Sequence, residues 1–259
     1  MADLSNYNPA GRFTGLAEKY AKYRPSYPDS AIDFMLTHCE LGPLSLVVDI
    51  GCGTGISSRL FAERGIPVIG VDPNDEMRRL AERTAASLPS PIPDYRKGRA
   101  EETGLPDACA DAVLAAQAFH WFAPAPTLTE FHRVLKPGGW VVLIWNERDE
   151  SDACTADYGS VIRTAPDAAA VETPRGRAGD VIFASSLFVD AARFPFVNEQ
   201  KLDADGLLGR AFSASYAPRD PAAAQVFARG LHDVFARWQR DGTVTLRYET
   251  SVYVARKPA

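Results

Sequence analysis

The chain has 259 residues, of which 46% are hydrophobic and 24% charged, and its net charge is −5. These values are typical of one α/β domain or at most two small domains. The acidic balance argues against the overall positive field of most nucleic-acid-binding proteins. No run approaches the roughly 18 apolar residues of a membrane helix, and the N-terminus lacks the pattern of a secretory signal.

The four cysteines show no Cys-x-x-Cys spacing, and no cluster of cysteine and histidine has the spacing of zinc ligands. So few cysteines in a chain of this length do not indicate a disulfide framework. We therefore predict a reduced, cytoplasmic protein without a bound metal.

Helical and strand patterns alternate along the first 145 residues. Helices are predicted near residues 13–23, 29–39, 56–64, 74–87 and 126–135, and strands near 46–50, 67–71, 94–98, 112–116 and 140–145. The first of these helices rests on the spacing of Phe13, Leu16, Ala17, Tyr20 and Tyr23. Apolar strands alternating with helices predict an α/β fold, a parallel sheet covered by helices on both faces.

The pattern beyond residue 150 is less regular. It predicts a helix over 152–170, a flexible loop over 171–179, a strand over 188–200, an amphipathic helix over 221–240 and a half-covered strand over 244–254.

A glycine-rich turn, Asp49-Ile50-Gly51-Cys52-Gly53-Thr54-Gly55, follows the first predicted strand. Its glycines let the backbone approach a ligand closely, and the next helix offers unpaired N–H groups to an anion. Asp72 ends the second strand, 21 residues after Gly51, where an acid accepts hydrogen bonds from ribose hydroxyls. The pattern predicts a site for a nucleoside that carries an anionic group.

The spacing within the turn separates the nucleotide classes. Ile56 stands where a dinucleotide-binding G-x-G-x-x-G has its last glycine, and the turn has no P-loop lysine. The G-x-G-x-G form, with Asp49 two residues before Gly51, resembles motif I of the class I S-adenosylmethionine-dependent methyltransferases. The resemblance implies S-adenosylmethionine as cofactor and S-adenosylhomocysteine as product. It also implies a doubly wound, Rossmann-like sheet of seven mostly parallel strands, with an antiparallel C-terminal strand and a helical cap.

This resemblance covers about residues 10–147 and implies roles for individual residues. Asp49 would face the cofactor's ammonium, Asp72 its ribose, and Met77 its adenine, although Met77 also fits ordinary helix core. The further cofactor-binding residues that it implies are Tyr20, Arg24, Gly51, Cys52, Gly53, Gly55, Pro73, Ala100, Glu101 and Gln117.

The segments 20–28 and 118–122 narrow the resemblance to the small-molecule methyltransferases grouped with trans-aconitate methyltransferases. In that group the N-terminal segment folds over cofactor and substrate. The resemblance implies one methyltransferase domain over 1–259, with residues 1–40 as a helical cap over the site. Residues 150–240 would form a helical and loop insertion that shapes the substrate pocket. The acceptor would be a small molecule, methylated on a carboxylate or hydroxyl oxygen, with neither nucleic acid nor membrane as partner.

Residues after the fourth strand face the crevice at the carboxyl ends of the strands. His120 is the titratable group there, and an imidazole, with an ordinary pKa of about 6.5, suits a catalytic base. Orienting the substrate and packing internally are the alternatives for His120. The other predicted substrate-pocket residues are Tyr23, Trp121, Trp145 and Asn146.

Several related activities are disfavoured. Gln117 and Ala118 stand where metal-dependent catechol-type methyltransferases have an acid, and the chain has no Pro-Cys pair of the kind that cytosine-methylating enzymes use. A non-catalytic S-adenosylmethionine-binding protein and an NAD-type oxidoreductase stay open as alternatives.

Overall fold

The computed structural model describes residues 15–175 and 178–259, which form a sheet with helices on both faces. The strands are β1 Val47–Ile50, β2 Val68–Val71, β3 Asp94–Arg96, β4 Ala110–Ala116, β5 Leu135–Arg148, β6 Val189–Leu202 and β7 Val244–Arg256. The helices are α1 Ala17–Tyr23, α2 Asp29–His38, α3 Ile56–Ala62, α4 Asp75–Ala85, α5 Pro124–Val134, α6 Ala153–Ile162, α7 Ala168–Arg175, α8 Ala204–Phe212 and α9 Pro221–Trp238. Short 3₁₀ turns cover Phe119–Trp121 and Ala178–Ile182.

The seven strands lie in the order β3-β2-β1-β4-β5-β7-β6. The pairs among β1 to β5 are parallel, and β7 runs antiparallel to both of its neighbours. This order confirms the predicted doubly wound sheet with an antiparallel C-terminal strand. The strand order reverses between β1 and β4, so the loops after these two strands flank the crevice where α/β sheets bind ligands.

The central strands are buried because helices cover both of their faces. All four residues of β1 are buried, which matches the continuous apolar character of covered parallel strands. Phe119, Phe131 and Leu143 belong to the core on one face of the sheet, and Ile32 and Phe61 to the core on the other face.

The predicted flexible loop over 171–179 is wrong, since residues 168–175 form α7. Ala168 and Val171 are buried against the apolar faces of α6, α8 and α9, so tertiary packing stabilises a helix whose own pattern is weak. Residues 150–240 also contain β6, a strand of the main sheet, so the segment is not a purely helical and loop insertion.

The N-terminal helix α1 bridges two parts of the fold. Ala17 packs on Met77 and Leu80 of α4, and the ring of Tyr23 lies against Gly209 of α8. Phe13 and the rest of residues 1–14 lie outside the described residues. From Gly15 onward, the segment predicted as a cap has contacts on both sides of the crevice.

No helix within residues 15–175 and 178–259 is long and apolar enough to cross a membrane. Over the same residues, no group of three or more His, Cys, Asp or Glu side chains is arranged to hold a metal ion.

Candidate functional site

A cavity of about 210 Å³ opens at the crevice between β1 and β4. Its walls come from the loops after β1, β2, β3 and β4 and from α1. The predicted site residues that line it are Tyr20, Gly51, Gly53, Asp72, Pro73, Met77, Ala100, Glu101, Gln117 and Trp121. Val71, Ala116 and Phe122 line it as well. The sequence did not indicate these three residues, because an apolar side chain in a cavity wall looks the same in sequence as one in the core.

A second cavity, of about 40 Å³, adjoins the first and shares Tyr20, Gly51, Gly53, Ala116 and Gln117 with it. The predicted residues Arg24 and Cys52 line this second cavity. Arg210 of α8 lines it too, and the sequence pattern did not indicate the helix that carries it.

The glycines of the turn are required for different reasons. A Cβ atom on Gly51 would lie 2.6 Å from Cβ of Ala118, and one on Gly55 would lie 2.3 Å from the hydroxyl oxygen of Tyr95. Gly53 has a φ of +54°, and a Cβ atom at this position would meet no neighbouring atom within 4 Å. Gly51 and Gly55 therefore allow close packing, whereas Gly53 presents open backbone to the cavity.

Asp72 fixes the shape of the turn from the end of β2. One of its carboxylate oxygens accepts a hydrogen bond from the backbone N–H of Gly53 at 2.9 Å, and the other from that of Asn74 at 2.8 Å. Burial raises the pKa of Asp72 above its ordinary value. Each carboxylate oxygen keeps a second lone pair, so Asp72 can both hold the turn and accept hydrogen bonds from a ligand.

Asp49 lies beneath the turn and lines neither cavity. Its Oδ2 accepts hydrogen bonds from the hydroxyls of Ser57 and Ser58, both at 2.6 Å. Its Oδ1 is buried and has no hydrogen-bond partner among the described residues. Burial raises the pKa of Asp49 to about 6. An uncompensated buried carboxylate oxygen favours a cationic or N–H-donating partner.

Met77 satisfies both interpretations that the sequence left open. It lines the large cavity, and it also packs against Ala17 and Leu80. On the opposite wall, Glu101 accepts a hydrogen bond from the backbone N–H of Ala123 at 3.1 Å. This bond holds the loop after β3 against the start of α5.

Gln117 follows β4 with a φ of +56°, a conformation that residues other than glycine seldom adopt. Its backbone N–H donates to the carbonyl of Ile144 at 2.8 Å, and its side-chain amide donates to the carbonyl of Asn146 at 3.2 Å. The two bonds hold the residue in this conformation at the boundary of the two cavities.

Comparison with known proteins identifies the central part of the chain. Residues 48–143 match the family model described as a methyltransferase domain. The matched stretch contains nearly all of β1, the whole of β2 to β4, most of β5 and the turn that carries Gly51 and Gly53. In this part the chain is similar to a methyltransferase domain.

An uncharacterized methyltransferase of Mycobacterium tuberculosis is 42% identical over 143 residues, which are 55% of each chain. The chain therefore spans about half the length of the curated relatives it matches. Two solved structures share the fold. A putative methyltransferase from an antibiotic biosynthesis pathway of Anabaena variabilis has a TM-score of 0.64 and 19% identity, over 89% of this chain and 98% of that one. The phosphoethanolamine N-methyltransferase 2 of Haemonchus contortus, in complex with S-adenosyl-L-methionine, has a TM-score of 0.56 and 15% identity, over 100% of this chain and 61% of that one.

His120 is buried and lines neither of the two cavities. The indole N–H of the buried Trp145 donates to Nδ1 of His120 at 3.3 Å. The neutral imidazole then has its hydrogen on Nε2, so Nδ1 is engaged and Nε2 is a donor. The arrangement supports the packing alternative for His120 more than the role of a catalytic base.

The remaining residues predicted for the substrate pocket are divided. Trp121 lines the large cavity, whereas Tyr23, Trp145 and Asn146 line neither. The amide of Asn146 donates to the carbonyl of Ser26 at 3.1 Å. Asn146 thus holds the N-terminal segment against β5, and its place in the substrate pocket stays a prediction.

Proposed function

We propose that this protein transfers the methyl group of S-adenosylmethionine to a small-molecule acceptor. The observation that carries the proposal is the turn after β1, which presents the open backbone of Gly53 to the cavity beside the carboxylate of Asp72. An acid in this position suits the two hydroxyls of a ribose.

The residues present fit that cofactor on three counts. The large cavity brings the carboxylate of Asp72 together with the apolar side chains of Met77 and Val71, as a ribose linked to an adenine requires. Asp49 is joined to the wall of the second cavity through Ser57, whose hydroxyl donates to its Oδ2, and its buried Oδ1 has no hydrogen-bond partner among the described residues. Arg24 in that cavity offers a guanidinium, which matches a carboxylate. A methionine end, with its ammonium and carboxylate, is complementary to these charges.

When bound, S-adenosylmethionine supplies a methyl group that would pass in line to a nucleophile, while the sulfonium sulfur keeps the electron pair of the broken C–S bond and leaves as the thioether of S-adenosylhomocysteine. The chain contributes mainly by holding the acceptor close to the methyl group and in line with it, because positioning alone lowers the activation barrier of such a transfer substantially. Tyr20, Trp121 and Phe122 wall the large cavity with aromatic rings, which exclude water from the acceptor.

For the acceptor, we propose a metabolite methylated on a carboxylate or hydroxyl oxygen. The proposal rests on the resemblance of residues 20–28 and 118–122 to trans-aconitate methyltransferases. A carboxylate is already deprotonated at neutral pH, so its methylation needs no catalytic base. That His120 lines neither cavity agrees with an acceptor of this kind. The cap formed by residues 1–40, the pocket-shaping role of 150–240, the cytoplasmic location and the exclusion of nucleic acid stay predictions.

The test is a calorimetric titration of the full chain with S-adenosylmethionine, S-adenosylhomocysteine and NAD, side by side. We expect both sulfur nucleosides to bind and NAD to give no heat. Binding of NAD alone would overturn the proposal in favour of an oxidoreductase. Tight binding of S-adenosylmethionine without methyl transfer to any small acid or alcohol would favour a non-catalytic binding protein, and the methyltransferase relatives argue against that alternative.

A further inference from the structure

Arg210 is a buried cation without an ionic partner. Arg210 is only 6% exposed. Within residues 15–175 and 178–259, no carboxylate lies within ion-pair distance of its guanidinium. Its Nε has no hydrogen-bond partner among the same residues. An arginine stays charged at every physiological pH, and a buried charge without compensation is costly to folding.

The described surroundings of Arg210 offer dipoles rather than a paired carboxylate. The hydroxyls of Tyr248, Tyr158 and Tyr216 are its polar neighbours, and a tyrosine hydroxyl is a hydrogen-bonding dipole. Glu172, which belongs to the same region, is engaged elsewhere. Its two oxygens accept from Arg148, both at 2.8 Å, and Oε1 also accepts from the hydroxyl of Tyr216 at 2.7 Å.

The guanidinium of Arg210 belongs to the wall of the second cavity, together with that of Arg24. Arg24 donates to the carbonyl of Ser213 at 3.3 Å, and Ser213 is the residue at which α8 ends. The two cations are thus fixed on one short helix and one N-terminal segment. Among the residues that the structure describes, no acidic side chain lines this cavity.

The charge balance requires a second anion. The methionine end of the cofactor carries one carboxylate and one ammonium, which Arg24 and Asp49 complement. A second guanidinium on the same wall then lacks a counter-charge. The second cavity is continuous with the large one through their shared lining residues, such as Tyr20 and Gln117, so a ligand that reaches Arg210 also reaches the large cavity.

We propose that Arg210 binds a carboxylate of the methyl acceptor and selects acidic over neutral acceptors. The inference rests on the proposed function, since it assigns Arg24 and Asp49 to the cofactor. Arg210 anchors the acceptor and takes no part in bond making. The planar guanidinium pairs with a carboxylate through two parallel N–H···O bonds, which also orients the acceptor relative to the large cavity.

The experiment is a calorimetric titration of the full chain, saturated with S-adenosylhomocysteine, with acetate, succinate, glutarate and tricarballylate, each compared with its neutral amide. In the unmodified protein we expect at least one acid to bind tenfold or more tightly than its amide. Arg210→Met should remove this preference, Arg210→Lys should keep part of it, and neither should change the affinity for S-adenosylhomocysteine. The matched control is Arg229→Met, which removes the same charge from the exposed side of α9 and should change nothing.

Each other result has a defined meaning. If S-adenosylhomocysteine itself fails to bind the unmodified protein, the proposed function fails first. If it binds and no acid is preferred over its amide, the assignment of Arg210 is overturned. A loss of S-adenosylhomocysteine affinity in Arg210→Met would place Arg210 in the cofactor site and equally overturn it.

Folding is checked separately. Replacing an unpaired buried charge by an apolar side chain of similar length is often neutral or stabilising, so we expect the melting temperature of Arg210→Met to equal or exceed that of the unmodified protein. A large fall would mean that the tyrosine hydroxyls already satisfy the guanidinium, which contradicts the proposal. The comparison of acids with amides on the unmodified protein needs no variant and decides the case even if Arg210→Met does not fold.

Discussion

The buried carboxyl of Asp49 should make the free energy of unfolding depend on pH. Burial raises the pKa of its carboxyl from 3.8 to about 6, and each pKa unit corresponds to about 1.4 kcal/mol. Because the folded-state pKa lies above the unfolded one, the folded protein binds more protons between pH 4 and 6. The free energy of unfolding therefore falls as pH rises through this window, by about 3 kcal/mol in total.

Asp49→Asn removes that charge while its amide oxygen still accepts from Ser57 and Ser58. The new NH₂ group lacks an acceptor, which costs about 1–2 kcal/mol. We expect a net gain of about 1–2 kcal/mol at pH 7 that disappears by pH 4. The same variant should bind S-adenosylhomocysteine about tenfold more weakly, since the cofactor's ammonium loses a charged partner.

The assay is urea unfolding followed by circular dichroism at pH 4, 5, 6 and 7, with calorimetry for the ligand. Asp75→Asn is the control, because Asp75 is an exposed carboxylate whose pKa the neighbouring Arg78 lowers, so it should show no gain at pH 7. Equal stability of Asp49→Asn and the unmodified protein at every pH would refute the reasoning. A gain in stability without any loss of affinity would remove Asp49 from the cofactor site.

Three further substitutions test the site and its support. Asp72→Ala should weaken S-adenosylhomocysteine binding by about 1–3 kcal/mol in calorimetry, and unchanged affinity would remove Asp72 from the ribose site; Asp75→Ala should leave binding intact. Gly209→Val should lower the free energy of unfolding by about 1–3 kcal/mol, because a Cβ atom on residue 209 would lie 2.4 Å from the ring of Tyr23. An unchanged melting temperature would contradict the packing of α1 on α8. His120→Ala should lower the melting temperature, since it leaves a buried indole N–H without its acceptor, with the affinity for S-adenosylhomocysteine within about twofold; a larger loss would place the imidazole in the binding site.

Local patterns were sufficient for the framework of the fold. The apolar runs at 46–50, 67–71 and 112–116 predicted β1, β2 and β4 to within two residues. The helix predicted near residues 74–87 begins where expected, because the side chain of Asn74 caps α4 and accepts from the backbone N–H groups of Glu76 and Met77. These elements follow from side-chain periodicity and capping, which are properties of neighbouring residues.

The cofactor side of the site was also readable in advance. The glycine spacing and Asp72 are joined in sequence to the strands they follow, so the fold brings them together at one sheet edge. Asp49 was different. The sequence placed it near the ligand, whereas its position beneath the turn depends on the two serines of α3 that bind its Oδ2.

The acceptor side was decided by tertiary structure. α7 and α8 have weak patterns of their own, and they are helical because their apolar residues complete a core shared with α6 and α9. Arg210 and Arg24 are far apart in the chain and meet at one small cavity only because α1 packs on α8. His120 follows β4 as a catalytic residue would, yet the indole of Trp145 binds its Nδ1 from the neighbouring strand. The sequence alone therefore determined the central strands and the glycine turn that lines the cavity, because these depend on local spacing. The surroundings of Arg24, Arg210, Asp49 and His120 depend on neighbours distant in the chain, which only packing supplies.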